Sequence, residues 1–313
     1  MEHTDMTIDI AAVAAQAGQA VVGIQAGGGR GGGRAATGTV TDTDIIVTTA
    51  HNVGWNRSSE QQRPVTVIFA DGRREDGRVV AVSEDLDLAV VTATTGEVQP
   101  LPWSTDAQID VGSEIVAIAA PQGIIRVTAG AVASADSRLR TRTGAPVDDV
   151  IDHTAPLPRG ASGGPVLDAS GAVIGINVNR LTGGLYQAIS AGPELTRIVT
   201  DLAQGIAPVT PVIGVTLMPG RNARHLRAAV GLDPLDGVLI TDVAEGSAAS
   251  EAGLSRGDLL VTADDHSLRS SDELLLALRR GGNQMVFGVV RGAGEPRTVT
   301  VALVRPDGTA PSQ

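Results

Sequence analysis

The sequence predicts a mainly β chain: two small antiparallel barrels within the first 200 residues, then a smaller strand-rich unit carrying one helix. Three observations carry this reading. Short apolar, β-branched runs recur at close intervals along the whole chain. They are separated by turn signals such as Asp71–Gly72 and Asp76–Gly77, within a total of 39 glycines. The texture changes near residue 208, where Gly205–Ile206–Ala207–Pro208 ends one strand set and a second begins.

The elements follow in order. Residues 8–24 read as a short amphipathic helix running into a strand at Val21–Ile24. The glycine run Gly27–Arg34 reads as a surface loop. No Gly-Lys-Ser/Thr follows it, so it is no phosphate loop, and it is too short for an arginine-glycine RNA-binding tract. Strands at 38–40 and 45–49 flank the Asp42–Thr43–Asp44 turn, and further strands are expected at 65–70, 77–82 and 86–92. Residues 94–102, with Gly96, Pro100 and Pro102, form a linker. A second strand set follows at 114–119, 124–132, 151–154, 165–167, 172–177 and 185–189, closed by a helix over 193–202. Beyond 208, strands are expected at 212–217, 237–243, 258–263, 284–291 and 298–304. One helix is opened by a capping box of Ser270 and Glu273, with Leu274, Leu275 and Leu278 on one face. The tail from Arg305 to Gln313 reads as frayed. The domain boundaries are 1–205, a linker at 206–211, 212–305, and a tail at 306–313.

Composition narrows the chemistry. The chain has 313 residues, no Cys and no Lys. Disulfides, thiolate catalysis, cysteine zinc sites, Ser–Lys dyads and Schiff bases are all excluded. The basic residues are all Arg, and only five histidines exist: His3, His51, His153, His225 and His266. A formal net charge of −11 and 2% aromatic residues argue against nucleic acid as a partner. No apolar run is long enough for a membrane span. The acidic Met1–Asp5 start and the interrupted apolar run after it make a poor signal peptide, so the chain is expected to be cytoplasmic; a chain trimmed of an export leader would read the same.

The sharpest motif is Gly160–Ala161–Ser162–Gly163–Gly164–Pro165. A serine flanked by glycines suits a nucleophile on a tight turn, with the amides of Gly160 and Ser162 free to converge on one oxygen. His51 follows the apolar strand ending Thr48–Thr49–Ala50, and a carboxylate precedes the strand Leu88–Val91, as Asp85 or Asp87. His, Asp and Ser in that chain order supply a base, its orienting acid and a nucleophile. Gly-x-Ser-x-Gly also matches an α/β-hydrolase elbow. That fold needs a helix after the serine, and here a hairpin follows.

These pieces together resemble the trypsin-like proteases of the HtrA/Deg family. The matching segments are Thr-Ala-His-Asn, Asp-Leu-Ala-Val-Val, Ala119–Ala120–Pro121–Gln122–Gly123, Arg159–Pro165 and Val173–Asn177, in the family's order. The resemblance implies a chymotrypsin-like double β-barrel with the active site between the barrels. It implies His51 as general base, Asp87 rather than Asp85 as its partner, Ser162 as nucleophile, and Gly160 and Ser162 as the oxyanion hole. Ile176, Asn177 and Val178 would pair with substrate backbone and wall a pocket for a small or medium apolar side chain. Ala161 stands where the family often has Asn or Asp. Residues 1–50 lack Phe, Tyr and Trp, so the aromatic contacts through which family trimers form are missing, although a homo-oligomer stays compatible with the sequence.

In the second half, Gly253–Leu254–Ser255–Arg256–Gly257–Asp258 resembles the matching segment of PDZ domains attached to such proteases. That implies capture of C-terminal peptides by strand addition at Ile213, Gly214, Val215 and Leu217, with Leu275 or Leu278 completing the pocket. The expected function is a serine endopeptidase for unfolded or misfolded polypeptides, regulated by the PDZ domain, with no cofactor and no metal. The alternatives are a proteolytically inactive, chaperone-like peptide-binding protein, and an esterase. Residues 134–149 are expected to form an activation loop. His153, near Asp149 and Asp152, is expected in a solvated loop rather than in a metal site, Asp264–Asp265–His266 in a turn, and His225 at the surface.

Overall fold

The computed structural model describes residues 8–27, 35–54, 64–105, 109–218 and 223–303. Most of the glycine run, the N-terminal Met1–Asp5 segment, Val304 and the C-terminal tail lie outside the described residues. The chain divides into two compact units between Pro208 and Val209.

The first unit opens with α1 (Ile10–Ala17), capped by the Asp9 carboxylate, which accepts from the Ala12 amide. Six strands then close a barrel: β1 (Val21–Ala26), β2 (Ala35–Asp42), β3 (Ile45–Thr49), β4 (Val65–Ile68), β5 (Arg74–Ser83) and β6 (Leu88–Thr92), in the order β1-β2-β3-β6-β5-β4. A second barrel is built from β7 (Glu114–Ala119), β8 (Arg126–Arg140), β9 (Pro146–His153), β10 (Pro165–Leu167), β11 (Val173–Arg180) and β12 (Tyr186–Ser190), in the order β10-β11-β12-β9-β8-β7. Closure removes exposed sheet edges. Central strands such as Ile46–Thr49 and Leu88–Val91 are buried on both faces, which is why they read as continuous apolar runs.

The linker at 94–102 ties the barrels together. The Leu101 amide donates to the Val40 carbonyl in the first barrel, and the Pro102 carbonyl accepts from Val173 in the second. α2 (Pro193–Ala203) follows the second barrel and packs Leu195, Ile198, Val199 and Leu202 back toward β5 and β6 of the first. Two structural differences from the sequence expectation bear on the site. Residues 134–149 are not an irregular loop: β8 and β9 extend through most of them as a long hairpin, whose tip is set by Thr141 N donating to the Ala145 carbonyl at 2.9 Å. His153 is not in a solvated loop either. It ends β9 and is fully buried, because β9 is an inner barrel strand paired on both sides.

The second unit contains β13 (Val215–Leu217), α3 (Ala223–Ala229), β14 (Val238–Val243), α4 (Ala248–Glu251), β15 (Asp258–Ala263), β16 (His266–Ser267), α5 (Ser271–Arg280), β17 (Gln284–Arg291) and β18 (Arg297–Ala302). The strand order is β13-β14-β15-β17-β18, so β13 lies at one end of the sheet. Asp264 and Asp265 form the expected turn with positive φ, and His225 is exposed on α3. The core gathers Ile240, Leu260, Phe287, Val289 and Val301. Asp258 is a fully buried carboxylate that bridges the Arg291 guanidinium at 2.6 and 2.8 Å and accepts from the Ser255 amide at 3.0 Å. Burial alone would raise its pKa, but these bonds outweigh burial and hold it below the usual carboxylate range. The Gly-Asp pair of the motif is therefore a structural joint. α5 starts as expected, with the Ser270 hydroxyl accepting from the Glu273 amide. The three leucines do not share a face: Leu274 and Leu278 are in the core, whereas Leu275 is 39% exposed. Leu275 is adjacent to Leu274, and consecutive helical residues point about 100° apart.

Candidate active site

His51 sits in a short 3-10 turn directly after β3, and Asp87 is the last residue of the turn before β6. β3 and β6 are paired in the first barrel, with Thr49 opposite Leu88, so the ends that carry His51 and Asp87 lie side by side. The His51 Nδ1 and the Asp87 Oδ2 are 2.6 Å apart. The His51 amide donates to Asp87 Oδ1 at 3.0 Å, and the Ala50 amide donates to the Asp87 carbonyl at 2.9 Å. Asp87 reaches these donors because its backbone is left-handed, with φ of 55°. The strand starts at Leu88, so Asp85 and Asp87 do not lie on one strand face as the sequence suggested; both belong to a turn, and among the described contacts it is Asp87 that bonds the imidazole Nδ1. A carboxylate on Nδ1 fixes that nitrogen as the protonated one and leaves the Nε2 lone pair exposed in the neutral ring.

Ser162 lies on the turn leading into β10, in the second barrel. Its carbonyl is gripped from the first barrel by Asn52 Nδ2 at 2.9 Å and by the Thr37 amide at 3.4 Å. Thr37 also donates its hydroxyl to the Gly160 carbonyl at 2.7 Å. The sequence reading missed Asn52 and Thr37, although Asn52 stood in view beside His51. Gly160 has φ of 86°, and a Cβ there would come within 2.5 Å of the Ala35 carbonyl oxygen, so this turn tolerates only glycine. No described acceptor takes the Gly160 or Ser162 amide. Ser162 Oγ donates to the Val178 carbonyl at 3.4 Å, and His51 Nε2 is 3.4 Å from Thr49 Oγ1. No described hydrogen bond joins Ser162 to His51. His51, Asp87, Ser162 and Val178 nevertheless line one cleft of about 250 Å³.

The three residues named as the substrate wall have different surroundings. Ile176 is fully buried, and Val178 is buried beside the serine. Asn177 is buried and works inward. Its amide donates to Gly164 O at 2.9 Å, its carbonyl accepts from Gly163 N at 2.7 Å, and its Nδ2 donates to Gly164 O at 3.1 Å. Its Oδ1 is 2.8 Å from His153 Nε2, so His153 carries its proton there. His153 stacks on Tyr186 with centroids 5.7 Å apart, and its buried Nδ1 has no partner among the described residues. Burial pushes its pKa below the usual imidazole value, against weaker opposing effects of the Asn177 bond and the Asp152 charge.

In the second unit, the Ile213 and Gly214 carbonyls accept from the Ala249 and Ala244 amides at 2.9 Å. Gly214 has φ of 81°, and a Cβ there would lie 2.2 Å from Ser247 Cβ. Val215 and Leu217 belong to β13 and pack partly against the core.

Residues 36–176 match the model of the trypsin-like peptidase domain, and residues 211–303 match the PDZ domain. The chain is 29% identical over 273 residues to a probable periplasmic serine endoprotease DegP-like of Chlamydia trachomatis, covering 85% of this chain and 53% of that protein. It is 31% identical over 255 residues to the putative serine protease HhoA of Synechocystis, covering 78% of this chain and 63% of that protein. The chain thus spans between half and two thirds of the length of these relatives. Among solved structures, the HtrA-type protease AlgW with a decapeptide superimposes with a TM-score of 0.75 at 19% identity, over 95% of this chain and 98% of that one. No helix among the described residues is long and apolar enough to cross a membrane. The cytoplasmic expectation drawn from the acidic N-terminus is overturned, because relatives from Chlamydia, Halomonas and Rhizobium are periplasmic endoproteases by name. An N-terminal pattern is weaker ground for a compartment than homology across most of the chain. The chain is a trypsin-like peptidase domain followed by a PDZ domain, and it belongs to the HtrA/Deg family of serine proteases.

Proposed function

We propose that the chain is a serine endopeptidase acting on unfolded or misfolded polypeptides, with His51, Asp87 and Ser162 as its catalytic triad and its PDZ unit as a peptide-binding regulator. The observation that carries this is the paired His51–Asp87 facing the cleft that also holds Ser162. His51 Nε2 takes the Ser162 proton as Oγ attacks the scissile carbonyl, and Asp87 stabilises the imidazolium. The Gly160 and Ser162 amides bind the oxyanion, a contribution for which each donor is typically worth about 10²–10³ in rate. His51 then protonates the leaving amine, and a water hydrolyses the acyl-enzyme by the same route in reverse.

Ser162 must leave the Val178 carbonyl to reach His51, so substrate binding and nucleophile alignment are coupled. Val178 lies in the strand that would hold substrate backbone, which links the two events. Ile213, Gly214, Val215 and Leu217 form the PDZ peptide edge, with exposed Leu275 as its helical contact. Leu278, committed to the core, sets the pocket floor. The same Ser162–Val178 contact favours the second reading, a binding protein whose serine stays misaligned.

Labelling with a fluorophosphonate, with and without unfolded protein, tests both. Labelling of the wild type, absent in Ser162→Ala, is expected. No labelling in either condition would leave the binding-protein reading.

A further inference from the structure

The described residues lining the cleft over Ser162 carry a charge opposite to that of the whole protein. Arg140, Arg142 and Arg180 line it. Among the described lining residues Asp87 is the one carboxylate, and it is already committed to His51. The chain as a whole carries −11 and has no Lys, so three guanidiniums at one cleft are a local reversal of the surface charge. They come from two separate elements. Arg140 ends β8, and Arg142 belongs to the hairpin tip, while Arg180 ends β11, two residues beyond the Val178 carbonyl on which Ser162 rests. All three are exposed. Arg140 is held in place by donating to the Gly144 carbonyl at 2.9 Å, and Arg180 lies 5.4 Å from the centre of the Tyr186 ring. These contacts anchor Arg140 and Arg180 beside the cleft.

We infer that the cleft selects polypeptide segments carrying Asp or Glu on the N-terminal side of the scissile bond. The inference rests on the proposed proteolysis at Ser162. β11 runs from Val178 to Arg180, so a substrate strand laid along it brings its residues upstream of the cleaved bond beside Arg180 and under the hairpin tip. Guanidiniums pair with carboxylates bidentately. A cleft with low-dielectric walls focuses the field of its charges on an incoming chain, which raises the encounter rate for acidic segments above that for neutral ones. The apolar side pocket expected from the sequence then selects the residue at the cut, and the arginines select its upstream context.

The test uses the full chain and two peptides, acetylated and amidated so that neither offers a terminal carboxylate to the PDZ unit. They share one sequence and differ in Glu against Gln at the second to fourth positions before the cut. The expected kcat/KM ratio, Glu over Gln, is about three- to tenfold for exposed charge pairs. It should fall toward one in Arg142→Gln/Arg180→Gln and at about 1 M salt, where the screening length shrinks to about 3 Å. Equal rates for the two peptides, with cleavage measurable, overturn the inference. If neither peptide is cut and Ser162 does not label, the proteolytic reading fails. Binding of the same labelled peptides to the full chain, read by anisotropy, then decides the charge question: tighter binding of the Glu peptide supports the inference, and equal affinity overturns it.

Discussion

Asp87→Asn separates the orienting role of this carboxylate from a merely structural one. In the native site the carboxylate accepts two hydrogen bonds from His51, at 2.6 Å from Nδ1 and 3.0 Å from the amide. An Asn of the same shape keeps an oxygen for the backbone amide. Its NH₂ group then faces Nδ1, which must become an acceptor, and the ring proton moves to Nε2. His51 then has no lone pair for Ser162. The expected loss in kcat is about 10⁴-fold, or about 5.5 kcal/mol of transition-state stabilisation. Stability should change by only about 1 kcal/mol, because one of the two hydrogen bonds is kept. Asp85→Asn is the control, since no described hydrogen bond joins Asp85 to His51; its kcat should fall far less than that of Asp87→Asn. Steady-state cleavage of an unfolded protein and the second-order rate of fluorophosphonate labelling give the readout, with circular dichroism to check folding. Activity of Asp87→Asn within tenfold of wild type would refute the reasoning, as would an equal loss in Asp85→Asn.

Three further outcomes are expected. His153 is buried with its pKa lowered from 6.5, so the unfolded chain binds the extra proton first as pH falls. Stability should therefore decline below about pH 6.5, with a slope from this residue of at most about 1.4 kcal/mol per pH unit. Urea melts of the wild type and His153→Gln between pH 5 and 8 should show that component only in the wild type. Asn52→Ala removes the side-chain donor to the Ser162 carbonyl and should destabilise the peptidase unit by about 1–3 kcal/mol, with a lower labelling rate at Ser162. An unchanged melting curve and labelling rate would contradict the bridging role of Asn52. Gly214→Ala forces a side chain into a left-handed residue against Ser247 and should cost the PDZ unit about 1–3 kcal/mol. Peptide binding to that unit, followed by anisotropy, should weaken in parallel, and retained wild-type affinity would count against the Gly214 loop as its peptide edge.

Much of this protein was legible before any coordinates. Strands buried on both faces advertise themselves as unbroken apolar runs, which is why β3 and β6 were readable at Ile45–Thr49 and near Leu88–Thr92. The glycines around Ser162 mark a turn that backbone sterics reserve for glycine, a property of the residue type itself. Capping at Ser270 is equally local, one hydroxyl and one amide three residues apart. What the sequence could not supply was the partner of each group across the fold. Two aspartates stood before β6, and only the left-handed backbone at Asp87, held by the Ala50 amide, decided which one meets His51. His153 looked solvated near Asp149 and Asp152, because burial depends on barrel neighbours such as Tyr186 and Asn177 that are distant in the chain. Leu275 and Leu278 were equivalent as residues and differ only in what the helix packs against. Arg140 and Arg180 are 40 residues apart and become one charged rim only because a hairpin and a barrel strand end at the same cleft. Propensity, turn chemistry and apolar period act over a few residues and can be read in one dimension. Electrostatics and burial depend on distances through space, which tertiary closure of the two barrels decided.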